Sequence, residues 1–210
     1  GVLWRVARAG GAPVALASEA AGAGGVSQMQ LSPDGTTLAF LRDGDLWLLP
    51  LNESPATRVT NVSVPALGTV PPGTYFRRDA EIGSATWGGG PSFQWSPDSR
   101  TIAVHYVDRR GVPVFSMPYY LNDTALLNRV RRGAPGDVNE VRKIGLVDVA
   151  SHDLRFVELP DSSSTRIVTY AWSSRGELLI DRETDDAIVR TLTLVTPGAP
   201  SEPLAPRTLW

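Results

Sequence analysis

The side chains best suited to acid–base or metal chemistry in this sequence are two histidines, which lie far apart. His105 is part of an alternating apolar run, and His152 belongs to a turn-like Ala-Ser-His-Asp segment. Because the chain has no cysteine, two separated histidines do not make a zinc-binding spacing. We therefore predict that each is an ordinary core or surface histidine, and we predict no metal or cofactor site.

The sequence also lacks the nucleophile of a serine hydrolase. In that class of enzyme the serine stands in a Gly-x-Ser-x-Gly turn, and the segments GVSQM and GSATW both lack the closing glycine. SPDGTTLAF lacks the alternating carboxylates of a calcium loop. The glycine run in TWGGGPS precedes a short strand rather than the helix that a phosphate cradle needs. The sequence therefore predicts no catalytic residues in this chain.

Two near-copies of one hairpin pattern indicate which elements build the fold. MQLSPDGTTLAF begins at Met29, and FQWSPDSRTIAV begins at Phe93. In both, proline presets the turn, aspartate can bond back to the local backbone, and the flanking apolar alternation is typical of strands. A second hairpin signal follows the first copy at Asp43–Gly44. With a last short strand over 57–60, this unit is a four-stranded antiparallel meander.

The meander recurs with insertions of variable length, which is typical of β-propeller blades. We predict an all-β fold, a partial β-propeller of about three and a half four-stranded antiparallel blades, with a β-sandwich as the competing fold. The predicted units are a half blade at 1–20, blades at 24–61, 92–160 and 165–206, and insertions at 62–91 and 111–142. The predicted strands are 3–7, 14–17, 26–31, 36–41, 46–49, 57–60, 92–95, 101–107, 143–149, 153–158, 167–172, 177–181 and 188–195. A short helix is predicted around 123–130.

Neighbouring blades must stack, because one blade alone cannot bury both of its faces. Trp95 and Trp172, together with Leu31, stand at equivalent strand ends, and we predict that the two tryptophans pack between blades. Three and a half blades do not close a ring, so we expect further blades from a longer parent chain or from copies of this one.

The amino-acid composition limits the classes of function that fit this protein. An apolar content of 42% fits a globular protein of 210 residues, and a net charge of −2 gives no reason to expect a nucleic-acid partner. No apolar run approaches the roughly 20 residues needed to span a bilayer. The lack of cysteine fits both the bacterial periplasm and the cytoplasm, so it leaves the compartment open.

Three landmarks in one order carry a family resemblance. An acidic cluster, DAEIG, precedes the second Ser-Pro-Asp hairpin; VDRRGVPVFSMPYY follows it; and RVRRGAPGDVNEVRKIGLVDV leads into the next strand. In this combination, essentially the whole chain resembles the N-terminal β-propeller domain of dipeptidyl peptidase IV-like enzymes, in the prolyl oligopeptidase family. The resemblance implies an eight-bladed propeller that caps an α/β-hydrolase domain carrying serine, aspartate and histidine. It also implies a peptide substrate and a homodimer formed partly through propeller extensions.

The same resemblance implies a binding site for the substrate amine. In the family, adjacent glutamates of the propeller hold the free N-terminal amine of the peptide. Glu81 matches one of them, the other falls on Ala80, and Asp79 stands one residue earlier with a shorter side chain. Two carboxylates around an ammonium are charge-assisted acceptors, and a single one holds it less firmly. The alternative is that Asp79 and Glu81 are solvated charges beside Arg77 and Arg78.

We therefore expect a non-catalytic propeller portion of a dipeptidyl peptidase IV-like serine exopeptidase, which gates the active site and helps to anchor the substrate N-terminal amine. The resemblance implies that the parent enzyme removes dipeptides with proline or alanine in second position. A stand-alone propeller that binds a protein or a glycan is the alternative. A small independent enzyme is the third hypothesis.

Overall fold

The computed structural model describes residues 3–6, 8–17, 26–52, 55–68, 70–77, 91–120, 126–162, 164–198, 202 and 204–210. Within these ranges the regular structure consists of strands. The strands are β1 (Leu3–Arg5), β2 (Val14–Ala17), β3 (Ser27–Leu31), β4 (Thr37–Arg42), β5 (Asp45–Pro50), β6 (Thr57–Arg58), β7 (Thr74–Phe76), β8 (Phe93–Trp95), β9 (Thr101–Asp108), β10 (Val114–Tyr119), β11 (Leu126–Arg131), β12 (Val141–Asp148), β13 (Leu154–Phe156), β14 (Thr165–Trp172), β15 (Leu178–Thr184), β16 (Arg190–Thr196) and β17 (Ala205–Thr208).

These strands form three antiparallel meanders that we call complete blades. The first contains β3 to β6 in chain order, and the third contains β14 to β17 in chain order. The second has the order β13-β12-β9, with β7 and β8 both paired to the free edge of β9. The strands β1 and β2 form a two-stranded sheet, and β10 and β11 form a separate hairpin.

The first strands of the three complete blades lie next to one another. β8 contacts both β3 and β14, whereas the last strands of the blades do not come together. Sheets whose first strands converge while their last strands diverge radiate from a common axis. The predicted fold class, an all-β partial propeller, is confirmed, and we call the edge formed by the first strands the axial edge.

The repeated Ser-Pro-Asp hairpins form for the local reason expected from sequence. The Asp34 carboxylate accepts hydrogen bonds from the Ser32 hydroxyl at 2.6 Å and from the Thr36 amide at 3.0 Å. The second copy repeats the first contact between Ser96 and Asp98, also at 2.6 Å. These hydrogen bonds lower the pKa of both carboxyls, with the serine hydroxyl as the largest cause. Each turn therefore satisfies its own backbone before any long-range contact is made.

Two apolar clusters fill the spaces between successive blades. One joins the first and second complete blades, and the other joins the second and third. Between them, the indole N–H of Trp95 donates to the carbonyl of Gln30 at 3.3 Å, and that of Trp172 donates to the carbonyl of Gln94 at 3.1 Å. Each tryptophan thus crosses from its own blade to the preceding one, which confirms the predicted packing between blades.

The structure corrects one prediction and adds strands that were not predicted. The helix around 123–130 is wrong over its described part, because Leu126–Arg131 is a strand paired with Val114–Tyr119. The apolar spacing of Leu126, Leu127 and Val130 fits a helix and a strand equally well. The pairing with the neighbouring strand decides between the two. β7, β10 and β17 were also not predicted.

Candidate functional site

At the axial edge of the second complete blade, two separate strands, β7 and β8, together occupy the position of one strand. β7 pairs with the end of β9, from Thr74 opposite Asp108 to Phe76 opposite Tyr106. β8 pairs with the beginning of β9, over 93–95. Both strands pair antiparallel with the same edge of β9, so β7 and β8 run in the same direction. The chain between them is an excursion from the middle of an inner strand.

Both ends of this excursion are fixed on a single residue of β9. The Arg77 amide donates to the His105 carbonyl at 2.8 Å, and the His105 amide donates to the Ser92 carbonyl at 3.0 Å. The two ends of the intervening segment, residues 78–90, therefore lie close to each other. The predicted site residues Asp79 and Glu81, with Ala80, belong to this segment and lie outside the described residues.

The residues next to these two ends form a buried polar cluster. His105 is 1% exposed, and neither of its ring nitrogens has a hydrogen-bond partner among the described residues. Burial, followed by the charges of Arg77 and Arg142, lowers the pKa of His105 to about 3. The imidazole is therefore neutral near neutral pH and cannot serve as a proton shuttle there. This confirms the prediction of an ordinary core histidine, and His152 is exposed in a turn.

The third complete blade also takes part in this cluster. Tyr170 of β14 is 1% exposed and donates its hydroxyl to the Pro91 carbonyl at 2.6 Å. Its ring meets the His105 ring edge-on, with centroids 6.4 Å apart and an interplanar angle of 82°. Sequence reasoning missed Tyr170 because its partner lies 79 positions away along the chain.

A buried carboxylate holds the chain that leads from the first blade towards β7. Asp45 accepts hydrogen bonds from the Thr60 hydroxyl and the Val62 amide, each at 2.8 Å, and from the amide and hydroxyl of Ser63, and it pairs with Arg58. Burial alone would raise the pKa of Asp45, but these hydrogen bonds outweigh it and leave the pKa below its usual value.

The turn between β4 and β5 supports β7 directly. The Phe76 amide donates to the Gly44 carbonyl at 2.8 Å. Gly44 has φ +82°, and a Cβ there would lie 2.8 Å from the Tyr75 Cβ. This position therefore requires glycine for two reasons, its backbone conformation and the close approach of β7.

A second ionic cluster joins the second and third complete blades. Glu140 is buried and forms ion pairs with Arg109 at 3.0 Å and Arg142 at 2.8 Å. Arg142 also pairs with Asp185 of the third blade at 3.3 Å. Each charge has a described partner of opposite sign, so the cluster is a structural clamp between blades.

Beyond this clamp lies the β10–β11 hairpin, whose base is held by Arg131, which donates to the carbonyls of Pro71 and Val112. Every residue of Val114–Tyr119 is exposed, and Tyr120 is 74% exposed. A two-stranded hairpin with apolar side chains on both faces is marginal by itself.

A cavity of about 350 Å³ lies at the Ser-Pro-Asp end of the axial edge. It is lined by the strand-end pairs Gln30–Leu31, Gln94–Trp95 and Ala171–Trp172 and by Pro97. Since both indole N–H groups already donate to backbone carbonyls, the tryptophans present only apolar surface to it.

Among the described residues, no three histidine, aspartate or glutamate side chains are grouped in a way that would suit a metal ion. In the same part of the chain, no helix has the length and apolar character to cross a bilayer.

The chain is similar to known peptidases over most of its length. The family model for the dipeptidyl peptidase IV (DPP IV) N-terminal region matches residues 4–197. A probable dipeptidyl-aminopeptidase B from Aspergillus niger is 24% identical over 173 residues, which cover 73% of this chain and 18% of that protein. A probable dipeptidyl-aminopeptidase B from Talaromyces stipitatus is 25% identical over 185 residues, covering 78% of this chain and 19% of that protein. The chain thus spans less than a fifth of the length of these curated relatives.

Solved structures give the same fold. The dipeptidyl peptidase 4 of Porphyromonas gingivalis superposes with a TM-score of 0.72 at 20% identity, over 91% of this chain and 26% of that one. A putative dipeptidyl aminopeptidase IV from Bacteroides ovatus superposes with a TM-score of 0.64 at 17% identity, over 82% of this chain and 22% of that one.

Proposed function

Because the chain belongs to the dipeptidyl peptidase IV N-terminal region family, we propose that it is the non-catalytic propeller portion of a dipeptidyl peptidase IV-like serine exopeptidase. In this role it gates an active site built on an α/β-hydrolase domain of the parent chain. It also helps to anchor the N-terminal amine of the peptide substrate. The much greater length of the relatives supports a parent chain with further domains.

The observation that carries the amine-binding role is the divided inner strand. A propeller blade needs no interruption in its axial strand, and here the ladder continues across the interruption because His105 pairs with both Arg77 and Ser92. Here the strand is divided, and the chain that leaves it carries Asp79 and Glu81. The described residues that flank this segment, Arg77 and Pro91, lie at the axial edge, which lines the central channel in a propeller.

The chemistry of this role is recognition of an ammonium ion. A protonated peptide amine offers three N–H donors, and carboxylates accept them as charge-assisted hydrogen bonds. An acetylated N-terminus has lost both the charge and two of the donors. Binding that depends on Asp79 and Glu81 therefore discriminates sharply between a free and a blocked N-terminus.

The test uses the full-length protein and two competitive inhibitors, the dipeptide Gly-Pro and its N-acetyl form. Loss of one charge-assisted contact is worth about 1.5–3 kcal/mol, so Glu81→Ala weakens binding of free Gly-Pro roughly ten- to hundredfold. Binding of the acetylated dipeptide stays unchanged. The exposed Glu158 supplies the matched control, Glu158→Ala, which alters neither affinity.

A gain-of-function variant sharpens the test. Ala80→Glu restores the adjacent glutamates of the family and strengthens binding of free Gly-Pro without strengthening that of the acetylated form. Equal changes for the two ligands in Glu81→Ala would exclude the amine anchor.

The exposed β10–β11 hairpin supports a role in assembly, as a homodimer contact or as the binding surface of a scaffold. A partner would bury the exposed apolar side chains of this hairpin. The variant Phe115→Arg places a charge on this hairpin, and analytical ultracentrifugation of full-length protein reports whether a dimer is lost. An open reading frame without a hydrolase domain would favour the scaffold over the peptidase.

A further inference from the structure

The base of the β10–β11 hairpin is closed by two arginines that hold each other's backbone. The Arg109 guanidinium donates to the Arg131 carbonyl at 2.7 Å, and the Arg131 guanidinium donates to the Arg109 carbonyl at 3.2 Å. The Arg132 amide adds a hydrogen bond to the Pro113 carbonyl at 3.0 Å. Because a guanidinium presents its donors in a fixed planar fork, the position of Arg109 constrains the direction in which the hairpin leaves the second complete blade.

The same Arg109 guanidinium belongs to the ionic clamp between blades. Its Nε lies 3.0 Å from Oε2 of Glu140, and Oε1 of Glu140 lies 2.8 Å from Nε of Arg142. Arg142 reaches the third complete blade at the Asp185 carboxylate, 3.3 Å away, and at the Thr165 carbonyl, 3.2 Å away. An unbroken chain of contacts, with charges that alternate in sign, therefore joins the hairpin base to the third blade.

The middle of this chain is shielded from solvent more than its far end. The side chains of Glu140 and Arg142 are 9% and 10% exposed, whereas that of Asp185 is 31% exposed. Charge–charge interactions are stronger where water is excluded, and a buried carboxylate between two guanidinium groups has little water to replace either of them. A shift of Arg142 is therefore passed on to Arg109 instead of being absorbed by solvent.

We propose that the β10–β11 hairpin is coupled to the third complete blade through Glu140. A displacement of the third blade at Asp185 moves Arg142, and through Glu140 it moves the base of the hairpin. Because coupling between two sites is reciprocal, a partner that fixes the exposed hairpin also strengthens the hold of the clamp on the third blade. This coupling is independent of the proposed peptidase function.

The test is hydrogen–deuterium exchange of the full-length protein, followed in the two hairpin strands and, as a reference for the second blade, in β9. Asp185→Asn cuts the chain of contacts at its far end, and Glu140→Gln cuts it in the middle. The matched control is Trp172→Phe, which removes a hydrogen bond between the same two blades, to the Gln94 carbonyl at 3.1 Å, and leaves the clamp intact.

The expected effects are graded along the chain of contacts. Asp185→Asn speeds hairpin exchange about two- to fivefold, as for loss of a partly exposed ion pair, and leaves β9 unchanged. Glu140→Gln speeds it roughly tenfold or more, because two guanidinium groups lose the carboxylate that they share. In the double variant, Asp185→Asn adds nothing to the hairpin effect, because the connection is already broken at Glu140. Trp172→Phe keeps the wild-type rate in the hairpin.

The outcomes distinguish coupling from general loosening. Hairpin exchange at the wild-type rate in Asp185→Asn overturns the inference, and this variant decides alone if Glu140→Gln does not fold. Equal acceleration in Trp172→Phe also overturns it, since the hairpin then responds to any weakening between these blades. Additive effects of Glu140→Gln and Asp185→Asn in the double variant would show that the two residues act separately, and they too would overturn it.

Discussion

The buried histidine predicts a specific dependence of stability on pH. The pKa of His105 falls from 6.5 to about 3 on folding, chiefly through burial. Between these two values the unfolded chain binds a proton that the folded chain does not. The free energy of unfolding therefore falls as the pH decreases through this window, by about 1.4 kcal/mol per pH unit. From pH 6.5 to pH 4.5, His105 alone removes roughly 2.5 kcal/mol of stability.

Urea unfolding at a series of pH values measures this slope, and the chain supplies its own control. His105→Leu removes the group while keeping an apolar side chain in the core, so its slope above pH 4.5 is much smaller than that of the wild type. Near neutral pH the variant is about as stable as the wild type, because the imidazole nitrogens have no hydrogen bond to a described residue that could be lost. His152→Asn, at the other histidine, which is exposed at φ +65°, is the matched surface substitution. An unchanged slope in His105→Leu, or an imidazole NMR titration near pH 6 for His105, would refute the reasoning.

Two further substitutions test the packing that positions the excursion. Asp45→Asn leaves the donors around this carboxylate incompletely satisfied, so the free energy of unfolding in urea should fall by about 3–5 kcal/mol. The exposed control Asp153→Asn should change it little. Equal losses in the two variants would contradict the buried network. Gly145→Ala places a Cβ 2.7 Å from the Leu154 Cδ1 in the second blade and should cost about 1–3 kcal/mol, seen as a lower melting temperature; an unchanged melting temperature would show that the blade yields without strain.

The elements predicted correctly from sequence are those whose causes are local. The hairpin at Ser32–Thr36 and its copy at Ser96–Arg100 close through hydrogen bonds within five residues, so the residue types alone specify them. The same holds for the turn at Asp43–Gly44, where both residues have positive φ. Because these hairpin signals recur along the chain, they also predict the repeated blades of the propeller.

The parts that escaped prediction depend on distant partners. β7 has only three residues, and its pairing partner on β9 lies about 30 positions later in the chain. The strand 126–131 was mistaken for a helix because its partner, β10, contains Pro118 and reads poorly as a strand. The site residues Asp79 and Glu81 came from family resemblance, and their amine-binding role stays a prediction.

The divided strand shows how a blade can carry a long segment inside a strand rather than at its rim. A loop that connects two strands leaves from the end of the sheet, so its position depends on that one connection. An excursion from the middle of a strand departs from the axial edge and has β-ladder on both sides, so its ends inherit the rigidity of the sheet. Here both ends meet at His105, and a neighbouring blade adds the Tyr170 contact. Because both flanking residues are fixed on β9, we expect sequence change within 78–90 to cost the fold little.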